Sequence, residues 1–213
     1  MSKIIMIIGA ALLGAISSHS VSASVNILGN YPPANDYFSS TISAGVGQKG
    51  VLFTMPELSY TVDAVTLQLG GYNSSFDTAA IGFYADSEGM PDALVGMLQA
   101  PSSDSDTIAD FTFTPTSTLT LSANTTYWLM IDTTAGGFDW MAAHIESTPG
   151  GEATYLGHYF SNTNGATYGG SSTLNTFQIL GTEVAAVPEP AEYAALLGLG
   201  TLGFVAWRRR RNA

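Results

Sequence analysis

Period-two alternation sets the class of fold open to this chain. Val65, Leu67 and Leu69 alternate with Thr66 and Gln68, and Ala79, Ile81 and Phe83 repeat the pattern. Ala109, Phe111 and Phe113 alternate with Asp110, Thr112 and Thr114, and Leu119 and Leu121 flank Thr120. Side chains along a strand point to opposite faces in turn, so each stretch reads as a strand with one face in a core and one in water. Tyr127-Trp128-Leu129-Met130-Ile131 is apolar on both faces and reads as a central strand. Val51 to Met55 and Thr176 to Leu180 read as an early and a closing strand. Turn signals separate the runs: Pro32-Pro33, Gly70-Gly71, Gly89-Met90-Pro91, Ala123-Asn124, Gly136-Gly137, Pro149-Gly150-Gly151, Asn164-Gly165 and Gly169-Gly170. The chain holds 22 Ser, 23 Thr and 23 Gly, a composition that favours strands and turns over helices. The expectation is an all-β, antiparallel β-sandwich, jelly-roll-like, over residues 24–186.

The same counts exclude several chemistries. The chain has no cysteine, which removes disulfide scaffolds, thiolate nucleophiles and Cys-based metal sites. Its formal charge is −11, but residues 24–186 carry one Lys, no Arg and 15 acids, a formal −14. Nucleic-acid binding needs a basic footprint, and phosphate substrates need an Arg or Lys clamp; this body has neither.

The basic residues lie at the ends. Met1-Ser2-Lys3 precedes an apolar run from Ile4 to Ile16, and Val21-Ser22-Ala23 follows a polar patch. That order reads as a signal peptide over residues 1–23, cut between Ala23 and Ser24. At the other end Val187-Pro188-Glu189-Pro190 leads into an uncharged run from Tyr193 to Trp207, and Arg208-Arg209-Arg210-Arg211 follows at once. This is a helix breaker, a short membrane-compatible helix and a basic stop that stays cytoplasmic under the positive-inside rule. A run this short barely spans a bilayer, which suits a segment held there for a time and then removed.

Residues 187–213 resemble the PEP-CTERM sorting signal of exported bacterial proteins, on the strength of Pro188, Glu189 and Pro190, the apolar helix and Arg208 to Arg211. The resemblance implies recognition at Pro-Glu-Pro by an exosortase-type transpeptidase and passing residence in the inner membrane. It also implies delivery to the cell surface or an exopolysaccharide (biofilm) matrix. The body is similar to the choice-of-anchor β-sandwich domains in three stretches: Tyr60 to Leu69, Gly89-Met90-Pro91 and Leu119 to Leu129. That resemblance supplies no catalytic residues.

Candidate chemistry in the body is sparse, and no catalytic residue is assigned. Asp104-Ser105-Asp106 and Asp86-Ser87-Glu88 are the densest acidic groups, and Asp104 and Asp106 are weak candidates for structural calcium, with Asp132 and Asp139 as helpers. No other cofactor is expected. His144 and His158 stand in no metal-ligand spacing. Trp140, Tyr155, Tyr159 and Tyr168 sit amid Asn, Gly, Ser and Thr, the combination of rings and polar side chains that sugars bind. They are the candidate glycan contacts, although the same rings could fill the sandwich core. Three readings follow: a non-enzymatic structural or adhesive surface protein, a carbohydrate-binding module, and a glycoside-active enzyme with paired carboxylates across a cleft.

Overall fold

A computed structural model describes residues 23–33, 36–143, 148–185, 201–202 and 207–211. Residues 1–22 of the expected signal peptide, His144, the Pro188-Glu189-Pro190 motif and most of the apolar run lie outside them.

In chain order the strands are β1 (Val25–Gly29), β2 (Asp36–Ser43), β3 (Gln48–Thr54), β4 (Tyr60–Gly70), β5 (Ala79–Ser87), β6 (Met90–Gln99) and β7 (Ala109–Pro115). Then come β8 (Thr120–Leu121), β9 (Thr126–Thr133), β10 (Gly137–Ala143), β11 (Thr154–Ser161), β12 (Gly169–Gly170) and β13 (Phe177–Glu183). Every pairing among them is antiparallel. One arm is built on β4. Strands β13 and β10 pair along one side of it, β7 and β8 along the other, and β1 and β2 extend β13 and β10 outward. The other arm runs β6-β5-β9-β3-β11-β12.

The expected all-β antiparallel body is present, with one difference from two separate sandwich sheets. Strand β7 joins the arms: Ala109 to Phe113 pair with β4, while Thr114 and Pro115 pair with Gln99 and Leu98 of β6. The sheet is therefore continuous and curls over its own core. Pro115 has no N–H to donate, and the shared ladder is only two residue pairs long.

The alternating residues meet inside the curl. Val65, Leu67 and Leu69 of β4 and Phe111 and Phe113 of β7 belong to one buried cluster with Val51, Phe53, Ile81, Phe83, Leu129 and Ile131 of the other arm. Tyr72 stands edge-on to Phe111 and Phe138, with ring centroids 4.9 and 5.6 Å away, a favoured geometry for aromatic pairs. Strand β9 lies between β5 and β3, in the central position its two apolar faces predict. Its odd residues enter this core, while Trp128 and Met130 join Leu52 in a second cluster on the opposite face. Glu88 and Gly89 both take positive φ (55° and 80°) and form the two-residue turn that joins β5 to β6.

Candidate functional site

The second cluster forms the floor of a groove on the outer face of β9. Trp128 is fully buried there because Tyr159 and Tyr168 lie over it, at centroid distances of 4.9 and 5.7 Å. Its indole Nε1 donates to Asp86 Oδ1 at 2.7 Å. Tyr168 Oη donates to Gln48 Oε1 at 2.7 Å, and Gln48 Nε2 donates to Asp132 Oδ2 at 2.8 Å. Beside this chain is a cleft of about 170 Å³ lined by Tyr84, Tyr168, Asp92, Asp132, Gln48 and Met130.

Burial pushes the Tyr168 phenol up to about 12, and it pushes the Tyr84 phenol up as well. Both hydroxyls therefore keep their protons at neutral pH; Tyr168 gives its proton to Gln48 and offers a ligand its lone pairs. Burial also raises the Asp132 carboxyl, while the Thr133 amide and Gln48 pull it back toward the ionised form. Half-buried rings, neutral hydroxyls and a carboxylate acceptor are the groups that a sugar face and its hydroxyls pair with.

Four residues carried the sequence-based glycan assignment, and the structure divides them. Tyr168 lines the cleft, and Tyr159 packs on Trp128 in the outer cluster beside it. Trp140 does neither: it is completely buried in the main core, and its Nε1 donates to the Thr176 carbonyl at 2.8 Å. It has no face to offer a ligand. Tyr155 packs against the same core and bonds through Oη to His158 Nδ1 at 2.7 Å. A bulge in β11 explains the split. The register against β3 shifts between Tyr155 and Gly157, so the even spacing from Tyr155 to Tyr159 no longer places them on one face. Tyr84 and Gln48 were missed; the both-faces apolar run of β9 was the available sign that an outer cluster needed covering.

The acids do not converge. Asp104 accepts from both the Ser74 amide and hydroxyl at 2.6 Å, which holds its carboxyl below the usual range. Asp106 is exposed. Asp132 bonds Gln48, whereas Asp139 accepts from Thr41 Oγ1 at 2.7 Å on the other arm. Among the described residues no three His, Asp or Glu side chains are placed to hold a metal ion.

A buried polar cluster lies between the arms. Lys49 of β3, the body's single lysine, is 5% exposed, and its Nζ donates to Asn175 Oδ1 at 2.6 Å and to Ser40 Oγ at 2.8 Å. Desolvation lowers its pKa to about 8. Asn175 is fully buried and donates through Nδ2 to the Trp140 carbonyl at 2.6 Å. His158 is buried beside Trp140 and Phe177, at centroid distances of 5.9 and 5.7 Å, and its Nε2 has no hydrogen-bond partner. Burial and the charge on Lys49 push the imidazole down to about 3. Lys49 also borders a hydroxyl-lined cleft of about 310 Å³.

Both chain ends leave this body at one place. Val25 of β1 pairs with Gly181 of β13, and Ser24 Oγ donates to Asp63 Oδ2 at 2.7 Å. Ala23 and Ser24 are exposed there. A comparison with protein families finds one match in the segment that follows β13. Residues 186–211 are a PEP-CTERM protein-sorting motif. The motif marks the chain for export across the inner membrane and sorting to the cell surface or extracellular space, with exosortase as the processing enzyme. Arg208 to Arg211 are exposed and helical, with the Arg211 guanidinium 4.8 Å from the centre of the Trp207 ring. Among the described residues no helix is long and apolar enough to cross a membrane. A comparison with curated proteins finds no match.

Proposed function

We propose that the β-body is a non-enzymatic structural or adhesive component of an exopolysaccharide (biofilm) matrix. On this reading the leader is removed after Ala23, Pro188, Glu189 and Pro190 are read by exosortase, and Arg208 to Arg211 hold the tail until it is cut. The observation that carries the reading is the sorting motif directly after the last strand of a self-contained β-body. The reading needs no cofactor or calcium. It is tested by expressing the full chain with and without exosortase and measuring the C-terminal mass. Processing at the motif only in the presence of exosortase is the expected result, and an identical mass in both hosts removes the sorting step. Association with matrix polysaccharide from the producing cells is the second arm.

The Tyr84–Tyr168 groove favours a second reading, a carbohydrate-binding module. The body's formal −14 repels anionic polymers, so the fitting ligand is a neutral glycan or one bridged by divalent cations. Removing the ring in Tyr168→Ala should weaken retention on a neutral glycan column about two- to ten-fold, in line with one lost aromatic contact. Unchanged retention would assign the binding elsewhere.

A further inference from the structure

An exported domain without cysteine cannot be stapled by disulfides. Its one lysine nevertheless lies buried against a carboxamide. We propose that Lys49 and Asn175 condense to an intramolecular isopeptide bond that fastens one arm of the curled sheet to the other.

The geometry brings the reacting atoms together. Nζ is 2.6 Å from Oδ1. A carbonyl bond is about 1.23 Å long, so Nζ is no more than about 3.8 Å from Cγ, close to the roughly 3–3.5 Å of a near-attack arrangement. The Trp140 carbonyl holds Nδ2 at 2.6 Å and thereby turns Oδ1 toward Lys49. Ser40 Oγ lies 3.5 Å from Oδ1, where its hydroxyl can support the negative charge that grows on this oxygen during attack. Burial lowers the Lys49 pKa to about 8 and so enlarges the share of the neutral amine, which is the nucleophilic form. His158 packs beside the pair, with Nδ1 bonded to Tyr155 Oη and the Asn175 backbone close to the ring.

The step balances without a co-reactant. The Lys49 lone pair forms the new bond to Cγ, and the Cγ–Nδ2 bond breaks. One amine proton passes to the departing nitrogen, which leaves as ammonia. The link closes a 126-residue separation and joins β3 to the segment entering β13, away from the β6–β7 seam. A covalent tie there would hold the curl where the ladder does not close it.

The test is mass spectrometry of the full chain exported from its host and digested with a Glu-specific protease. The expected product joins residues 24–57 to residues 153–183, with the loss of one ammonia, about 17 Da. Asn175→Asp should give the same joined product with the loss of one water, about 18 Da. Lys49→Met should give two separate fragments of unmodified mass. Separate, unmodified fragments from the folded wild-type chain overturn the proposal, whatever the variants do.

Discussion

Replacing Trp140 by alanine decides between a core role and a ligand role for the most prominent aromatic of the glycan candidates. The indole is fully buried, so truncation removes a large core side chain, worth about 3–5 kcal/mol. It also deprives the Thr176 carbonyl of its 2.8 Å donor, and a buried polar group left unpaired adds about 1–3 kcal/mol. The sum, about 4–8 kcal/mol, is of the order of the whole stability of a typical domain. At roughly 2–4 °C per kcal/mol for a body of this size, the melting temperature should fall by about 8–30 °C, and part of the product should be lost before export. Trp140→Phe keeps most of the volume and loses the hydrogen bond, so it should cost only about 1–3 kcal/mol. Thermal unfolding followed by far-UV circular dichroism measures both. A Trp140→Ala chain that melts within about 2 °C of wild type but no longer binds glycan would refute the reasoning and make Trp140 a surface contact.

Three further outcomes follow from the same geometry. His158 stays neutral in the folded chain down to about pH 3, whereas in the unfolded chain it takes up a proton near pH 6.5. Stability from this group is therefore complete above about pH 6.5 and is lost as pH falls toward 3, by a few kcal/mol, and urea titrations of His158→Gln should show a flatter acid limb. Lys49 acts with the same sign in a more alkaline window if its amine remains free. The folded chain then releases its proton near pH 8 and the unfolded chain near 10.4, so stability should rise between those values; a condensed amide shows no rise, which makes the alkaline limb an independent check on the cross-link. Gly136 takes φ +71°, and an added Cβ would run into the Asp77 carboxylate, which accepts from the Gly137 amide at 2.8 Å. Gly136→Ala should destabilise by about 2–3 kcal/mol in the same melts, and a neutral effect would show that this turn can relax.

What could be read from the sequence follows from how local each signal is. Val65, Leu67 and Leu69 announce β4 because one side of the strand is wet and the other dry, and the apolar run Tyr127 to Ile131 announces a central strand because both sides are dry. Strand β6 gives no such signal: Ala93 to Val95 are exposed, so nothing forces alternation on Met90–Gln99. The β11 bulge separates two of the candidate glycan contacts, since it moves Tyr155 and Tyr159 to different faces without changing the composition of the segment. The curl escaped prediction because β7 changes partners between Phe113 and Thr114, and a ladder switch leaves no periodic trace. Lys49 is the most instructive case. Between Gln48 and Gly50 it looks like a solvated residue at a strand end, and its partner Asn175 is 126 residues away. Composition misleads as well: one base among 15 acids is expected at the surface beside a carboxylate, whereas Lys49 is buried against neutral oxygens.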